Sequence, residues 1–297
     1  MIIRTLMESK NQFIVANTTS SSVAEMKKEH IIPVFAKDNE VAIAHYEFVQ
    51  QTRDAVQMYF DQCVVPEPLV KVSHPIHGRI PEAMYKRPNE LLDREKTLYY
   101  ERMMFLIRVP AVTKVVGGQT LSLVVAGVKA YNWDRLHGKY TPQRFKLAIG
   151  FQVHVCSNLC VFTDGHLVDF DTNTIDDIYL KAYNMCANFN VEDQVRKLQE
   201  WSQISLSEEQ FKSFIGRVRC DFFDSERDTS HWLGDQQMAK VVRGYYTDEH
   251  FSRGNDGSIT LWNLYNLLTE ANKSSYVDSF LDRYQGIARI LKMTSYD

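Results

Sequence analysis

The chain has 297 residues, 44% hydrophobic and 24% charged, a globular balance that excludes a disordered or low-complexity protein. Five cysteines, odd in number and widely scattered, exclude a disulfide framework. The net charge of −3 conceals an asymmetry: −2 over residues 1–65, +7 over 66–150 and −8 over 151–297. A globally acidic chain is a poor non-specific binder of nucleic acid, but a +7 segment can present a local basic face. The equal alternative is that the basic segment and the acidic third pack against each other.

The segment MIIRTLMESKNQF lacks the sustained apolar run of a secretory signal. The longest apolar run, Leu121 to Val128, is broken by Ser122 and Gly127 and is far too short to span a bilayer. A cytoplasmic protein with reduced thiols and no membrane contact is expected. Residues 1–30 are expected as a flexible N-terminal segment, with Ser22 and Glu25 capping a short helix near its end. Asn39 then opens a long helix, in which Val41, Ala44, His45, Phe48, Thr52, Ala55, Val56 and Tyr59 form one stripe. His45, on or beside that stripe, is read as structural.

Five of the eight prolines, at 66, 68, 75, 81 and 88, predict an ordered connecting loop with at most one short strand at Leu69–Ser73. TLYYERMMFLIRVPAV predicts a strand over 97–112, and Gly117–Gly118 supplies a tight hairpin turn. QTLSLVVAGVKAYNW returns as a second strand, FKLAIGFQVHV is a third and LCVFT a fourth. HLVDF is a fifth, after an Asp164–Gly165 turn. Beyond Asp171 the pattern is helical, with capping signals at Thr174, Asn190 and Ser207 and a terminal helical pair broken around Asn272–Ser275. The expected fold class is α+β: an antiparallel meander core over about 97–170, preceded by a long helix and followed by a mostly helical C-terminal third. Residues 31–172 form the helix-plus-sheet domain in this reading, and 173–297 a helical region on or beside the sheet.

Phosphate-cradling, dinucleotide, zinc-protease and nucleophile-elbow motifs are all absent from the sequence, so neither a catalytic residue nor a cofactor is assigned. His154, Cys156 and Cys160, with His166 six residues on, are weak candidates for a metal site. On one strand i and i+4 lie about 13 Å apart at ~3.3 Å per residue, so Cys156 and Cys160 share a metal only across a sharp bend. Plain burial of the cysteines is favoured. The carboxylates Asp169 and Asp171 share a strand face, and a solvated strand end ahead of a helix explains them as well as a metal does.

The strongest cluster is KAYNWDRLHGKYTPQRFK, in which Lys129, Arg135, Lys139, Arg144 and Lys146 are interleaved with Tyr131, Trp133, Tyr140 and Phe145. Cations that follow a phosphate backbone beside aromatics that stack on bases are what single-strand binding requires. Arg102, Arg108 and Lys114 on the strands extend the predicted nucleic-acid set, Lys129, Tyr131, Trp133, Arg135, Lys139, Tyr140, Arg144 and Lys146 forming its centre. The alternative is a solvated loop whose aromatics cover the core.

The blocks EPLVKVSHPIHGRIPEA, EKTLYYERMMFLIRVPAV, LVVAGVKAYN, IGFQVHVCSNLCVFTDG and LWNLYNLLTEANKSSYVDSFLDR resemble an uncharacterised bacterial family. Its members belong to conjugative and integrated mobile elements of gut anaerobes and are related to phage/plasmid-like proteins. The resemblance runs from about Ile31 to Leu291 and implies a setting, not a mechanism: replication, transfer, recombination or evasion of host defence. Three readings follow. The first is a non-enzymatic nucleic-acid-handling protein that binds single-stranded DNA or RNA, such as an annealing accessory. The second is an interaction or counter-defence module that meets a host protein through its acidic helical third. The third is an enzyme or metal site around the His/Cys cluster.

Overall fold

The computed structural model describes residues 12–29, 31–34, 42–134, 141–161 and 166–296. Its centre is an antiparallel sheet in which four long strands run consecutively: β3 (Leu69–Arg79), β4 (Lys96–Val116), β5 (Gln119–Ala130) and β6 (Gln143–Val153). Strands β1 (Thr19–Ser21) and β2 (Ile32–Pro33) pair with the outer side of β3. Strands β7 (Leu159–Cys160) and β8 (Leu167–Thr172) both pair with β6, at Phe151–Gln152 and over 143–148 respectively. The fold is α+β, as expected. The last strand differs in one respect: β8 returns along β6 rather than beside β7.

The β4–β5 turn is set by Gly117 and Gly118, at φ 53° and 76°, the left-handed pair that a tight hairpin needs. The Asp164–Gly165 turn lies outside the described residues. The proline-rich segment is more regular than its composition suggests, since β3 spans eleven residues. Its ladder is interrupted at His74, where φ is 58°. β1 pairs with 70–72 and β2 with 78–79, so Pro75 sits where the outer side carries no strand, the position in which proline is tolerated.

β4 outruns β3. Lys96–Leu106 pair with β3, whereas Ile107–Val116 have no strand on that side among the described residues. The β4–β5 register slips between Val109 and Thr113, a bulge around Pro110.

Alternation along the strands assigns side chains to two faces. One face carries Phe105, Gly127, Lys129 and Phe145, and receives helix α2 (His45–Tyr59), following the short α1 (Val23–Glu29). Phe48 of α2 stands edge-on to Phe105 and Phe145, with ring centroids 5.0 and 4.8 Å away. Gly127 makes room for this contact, because a Cβ there would lie 2.3 Å from the Phe105 ring. α2 starts later than expected: Glu47 Oε2 accepts from Ala44 N at 2.7 Å and fixes the first turn there, while Asn39 and Val41 lie outside the described residues. His45 is buried, bonded to Tyr100 O at 2.7 Å and stacked on Tyr99.

The helical part contains α3 (Ile175–Asn188), α4 (Val191–Gln203), α5 (Glu208–Phe222), α6 (Asp235–Thr247), α7 (Leu261–Asn272), α8 (Val277–Phe280) and α9 (Asp282–Lys292). A small hairpin of β9 (Ser205–Leu206) with β10 (Ile259–Thr260) accompanies it. The expected caps form: Thr174, Asn190 and Ser207 accept from Asp177 N, Asp193 N and Gln210 N. One cluster of buried apolar side chains extends from Phe13 through the sheet to Leu291. Among the described residues no helix is long and apolar enough to cross a membrane.

Candidate anion-binding site at the bulged end of the sheet

The second sheet face is apolar at its middle, with Met104, Leu106, Ala126, Val128 and Ala148, and polar at both ends. At one end stand Arg102, Arg144 and Lys146; at the other stand Arg108, Ser122 and Gln152. The two ends differ in how their cations are partnered.

At the first end Arg102, Arg144 and Lys146 each meet a carboxylate, while Lys71 on the neighbouring strand bonds to the Ser20 hydroxyl at 3.0 Å. Lys146, 3% exposed, lies 2.6 Å from Asp282 at the head of α9 and 3.6 Å from Asp169 of β8. Arg144 forks onto Asp169, Nε to Oδ1 at 2.8 Å with Nη2 on Oδ2, and Trp133 lies under both cations, 4.6 Å from the Lys146 ammonium. Burial pushes the Asp169 carboxyl up, but Arg144 and Lys146 outweigh it and hold the group below its ordinary value. Arg102 lies 3.1 Å from Asp278 of α8 and donates from Nη1 to His74 Nδ1 at 2.8 Å. Lys114, near the hairpin tip, reaches Glu192 of α4 at 2.5 Å.

Lys129 points to the opposite face, 1% exposed, over the Phe145 ring and bonded to Gln143 Oε1 at 2.7 Å, with Asp134 at 3.8 Å. Burial lowers its pKa even with Asp134 opposing, and burial beside Asp134 pushes the Tyr131 phenol up to about 12. Arg135, Lys139 and Tyr140 lie outside the described residues. The predicted nucleic-acid set is therefore divided between two faces, and three of its members are paired by Asp278, Asp282 and Glu192 of the acidic third.

The His/Cys candidates are dispersed. His154 is exposed in the turn after β6, Cys160 is buried in β7, and His166 is buried against Gln194 of α4 at 2.6 Å. Among the described residues no three His, Cys, Asp or Glu side chains converge to hold a metal. Burial raises the Cys156 thiol to about 11 and the Cys160 thiol well above its ordinary value, the reverse of an activated thiolate.

At the bulged end a cavity of about 530 Å³ is lined by Arg108, Pro110, Ser122, Gln152, Val153, His154 and Ser157. Among the described residues its lining has one arginine and no carboxylate. The Arg108 Nε donates to Gln152 Oε1 at 2.8 Å, and Gln152 Nε2 reaches Ser157 O at 3.3 Å. Among the described residues no carboxylate pairs with Arg108, and burial alone lowers its pKa. His154 Nε2 lies 2.7 Å from Ser122 Oγ, and His154 N donates to Thr120 O at 3.0 Å, tying the turn to β5. Ser157 closes this turn at a φ of 58°, a left-handed conformation that costs a non-glycine residue of order 1 kcal/mol or more. A guanidinium whose Nη groups have no bond among the described residues, a hydroxyl, an imidazole and an amide around one opening suit an oxyanion.

Arg108 and His154 were singled out from the sequence; Ser122 and Gln152 were not. Their signal was present, because each interrupts an otherwise apolar strand, LSLVVAGV and IGFQVHV, and the two are cross-strand partners. A second cavity of about 480 Å³ is lined by Val155 and Cys156 of the same turn and has mixed charge, with Lys240, Arg243, Asp248, Glu249 and Glu270 in its wall.

A family model described as "Domain of unknown function, B. Theta Gene description (DUF3871)" matches residues 2–291. No curated protein and no solved structure matches the chain.

Proposed function

We propose that this chain, which belongs to the DUF3871 family over residues 2–291, binds a phosphate-bearing ligand in the cavity at the bulged end of its sheet. Single-stranded nucleic acid in a mobile-element setting is the source of phosphate that the sequence resemblance favours. The observation that carries the reading is the contrast between the two polar ends of one face. Arg102, Arg144 and Lys146 already meet acids of the same chain, whereas among the described residues Arg108 meets an amide and no acid. An arginine that a carboxylate already neutralises contributes little to phosphate affinity, and an exposed one held only through its Nε contributes more. Docking of a partner on the acidic third has less support, since Glu192, Asp278 and Asp282 are spent on the sheet.

Titration calorimetry with inorganic phosphate and a nucleoside monophosphate, beside anisotropy with 5′-phosphorylated and unphosphorylated single-stranded DNA across a salt series, tests the reading. Binding that weakens with salt and is lost in Arg108→Gln is expected. A response to phosphate but not to DNA identifies a small-molecule source. Absence of binding in every arm at low salt overturns the proposal.

A further inference from the structure

The hydroxyl and the imidazole of this cavity are also hydrogen-bonded to each other. Ser122 Oγ and His154 Nε2 are 2.7 Å apart, within reach for general-base activation of a serine. Both line the cavity, and His154 is exposed to it. Their positions are set by regular structure: Ser122 and Gln152 are cross-strand partners, and the His154 backbone is tied to Thr120, two residues before Ser122. Arg108, anchored through Nε on Gln152, lines the same cavity as the pair. A nucleophile, a base and a fixed positive charge therefore share one opening.

We infer that Ser122 is a nucleophile activated by His154, and that the cavity carries acyl-transfer chemistry on a carboxylic ester. The inference rests on the reading that Arg108 receives negative charge in this cavity. The steps balance with water as the second substrate. With its own proton on Nδ1, His154 takes the Ser122 hydroxyl proton at Nε2 while Oγ bonds to the ester carbonyl carbon. The carbonyl electron pair moves onto its oxygen, which faces Arg108. Collapse breaks the ester C–O bond, and the leaving alkoxide takes the proton from Nε2. Water, deprotonated by the same nitrogen, then attacks the acyl-Ser122 carbonyl. Ser122 Oγ leaves and regains a proton, so that ester and water become acid and alcohol.

A fluorophosphonate probe, which replaces fluoride with a serine oxygen, reads the pair directly through peptide mapping by mass spectrometry. An adduct at Ser122 is expected in the wild-type chain, absent in Ser122→Ala and formed roughly 100-fold or more slowly in His154→Gln. His154 is exposed, so the second variant leaves the fold intact. No adduct at Ser122 in protein that melts cooperatively, or equal labelling rates in wild type and His154→Gln, overturns the inference. Phosphate binding without an adduct sinks the inference and leaves the binding reading standing; an adduct without phosphate binding does the reverse.

Discussion

Lys146 of β6 and Asp282 at the head of α9 are 136 residues apart in sequence, yet both carboxylate oxygens lie 2.6 Å from the ammonium. The pair joins the basic strand to the acidic third at a point where the lysine is almost wholly buried. Asp282→Asn leaves that ammonium with Asp169 alone, at 3.6 Å. A loss of about 3 kcal/mol is expected, because removing one partner strands a buried charge. The double variant Lys146→Met/Asp282→Leu should lose far less. Urea unfolding midpoints of the three proteins check both statements.

Gly127 is where the sheet yields to α2. Its Cβ would lie 2.3 Å from Phe105 ring carbons and 3.0 Å from Phe48, and both rings are buried. Gly127→Ala is expected to cost ~1–3 kcal/mol through overpacking. Thermal melts of Gly127→Ala and of Gly127→Ala/Phe105→Leu check this, since the smaller leucine should return part of the loss.

Lys129 supplies a pH signature. Burial lowers its folded pKa below the unfolded value of about 10.4, so between the two the unfolded chain binds more protons. Stability contributed at this position therefore rises as pH rises through the folded value towards 10.4. Buried Tyr99, Tyr265 and Tyr284, pushed up by burial, act in the opposite sense at high pH. The difference between wild type and Lys129→Met isolates the lysine. Denaturant midpoints from pH 7 to 10 should show the wild type gaining on the variant, and a constant difference contradicts the assignment.

Ser157 carries its left-handed backbone without glycine's freedom. Ser157→Gly should raise stability by up to about 1 kcal/mol, the relieved strain exceeding glycine's entropic cost. A calorimetric melt of the variant checks the sign.

The strands were legible because β4, β5 and β6 are long, carry sustained apolar runs and are punctuated by Gly117–Gly118. The helix caps were legible because each is a local event spanning four residues. β3 was not read at full length, because proline statistics describe a central strand and Pro75 lies where the outer side has no strand. The basic ribbon was visible as composition, but its neutralisation was not. Asp278 and Asp282 come from helices more than a hundred residues downstream, and no spacing rule links them to Arg102 or Lys146. The cavity escaped for a related reason. Arg108, Ser122 and His154 lie on three different strands or their ends, and only the register places them together.

The overhang of β4 beyond β3 has a consequence for the protein in a crowded solution. A strand lacking a neighbour over Ile107–Val116 among the described residues offers a row of donors and acceptors to the strands of other molecules. Here that row is interrupted at its centre, because Pro110 brings no N–H and the bulge between Val109 and Thr113 shifts the register. An incoming strand would find only short matched stretches on either side. The long hairpin can therefore run past β3 to pack its tip beside α4 and Trp262 without seeding fibrillar growth, and the irregularity that shapes the cavity also keeps the edge from polymerising.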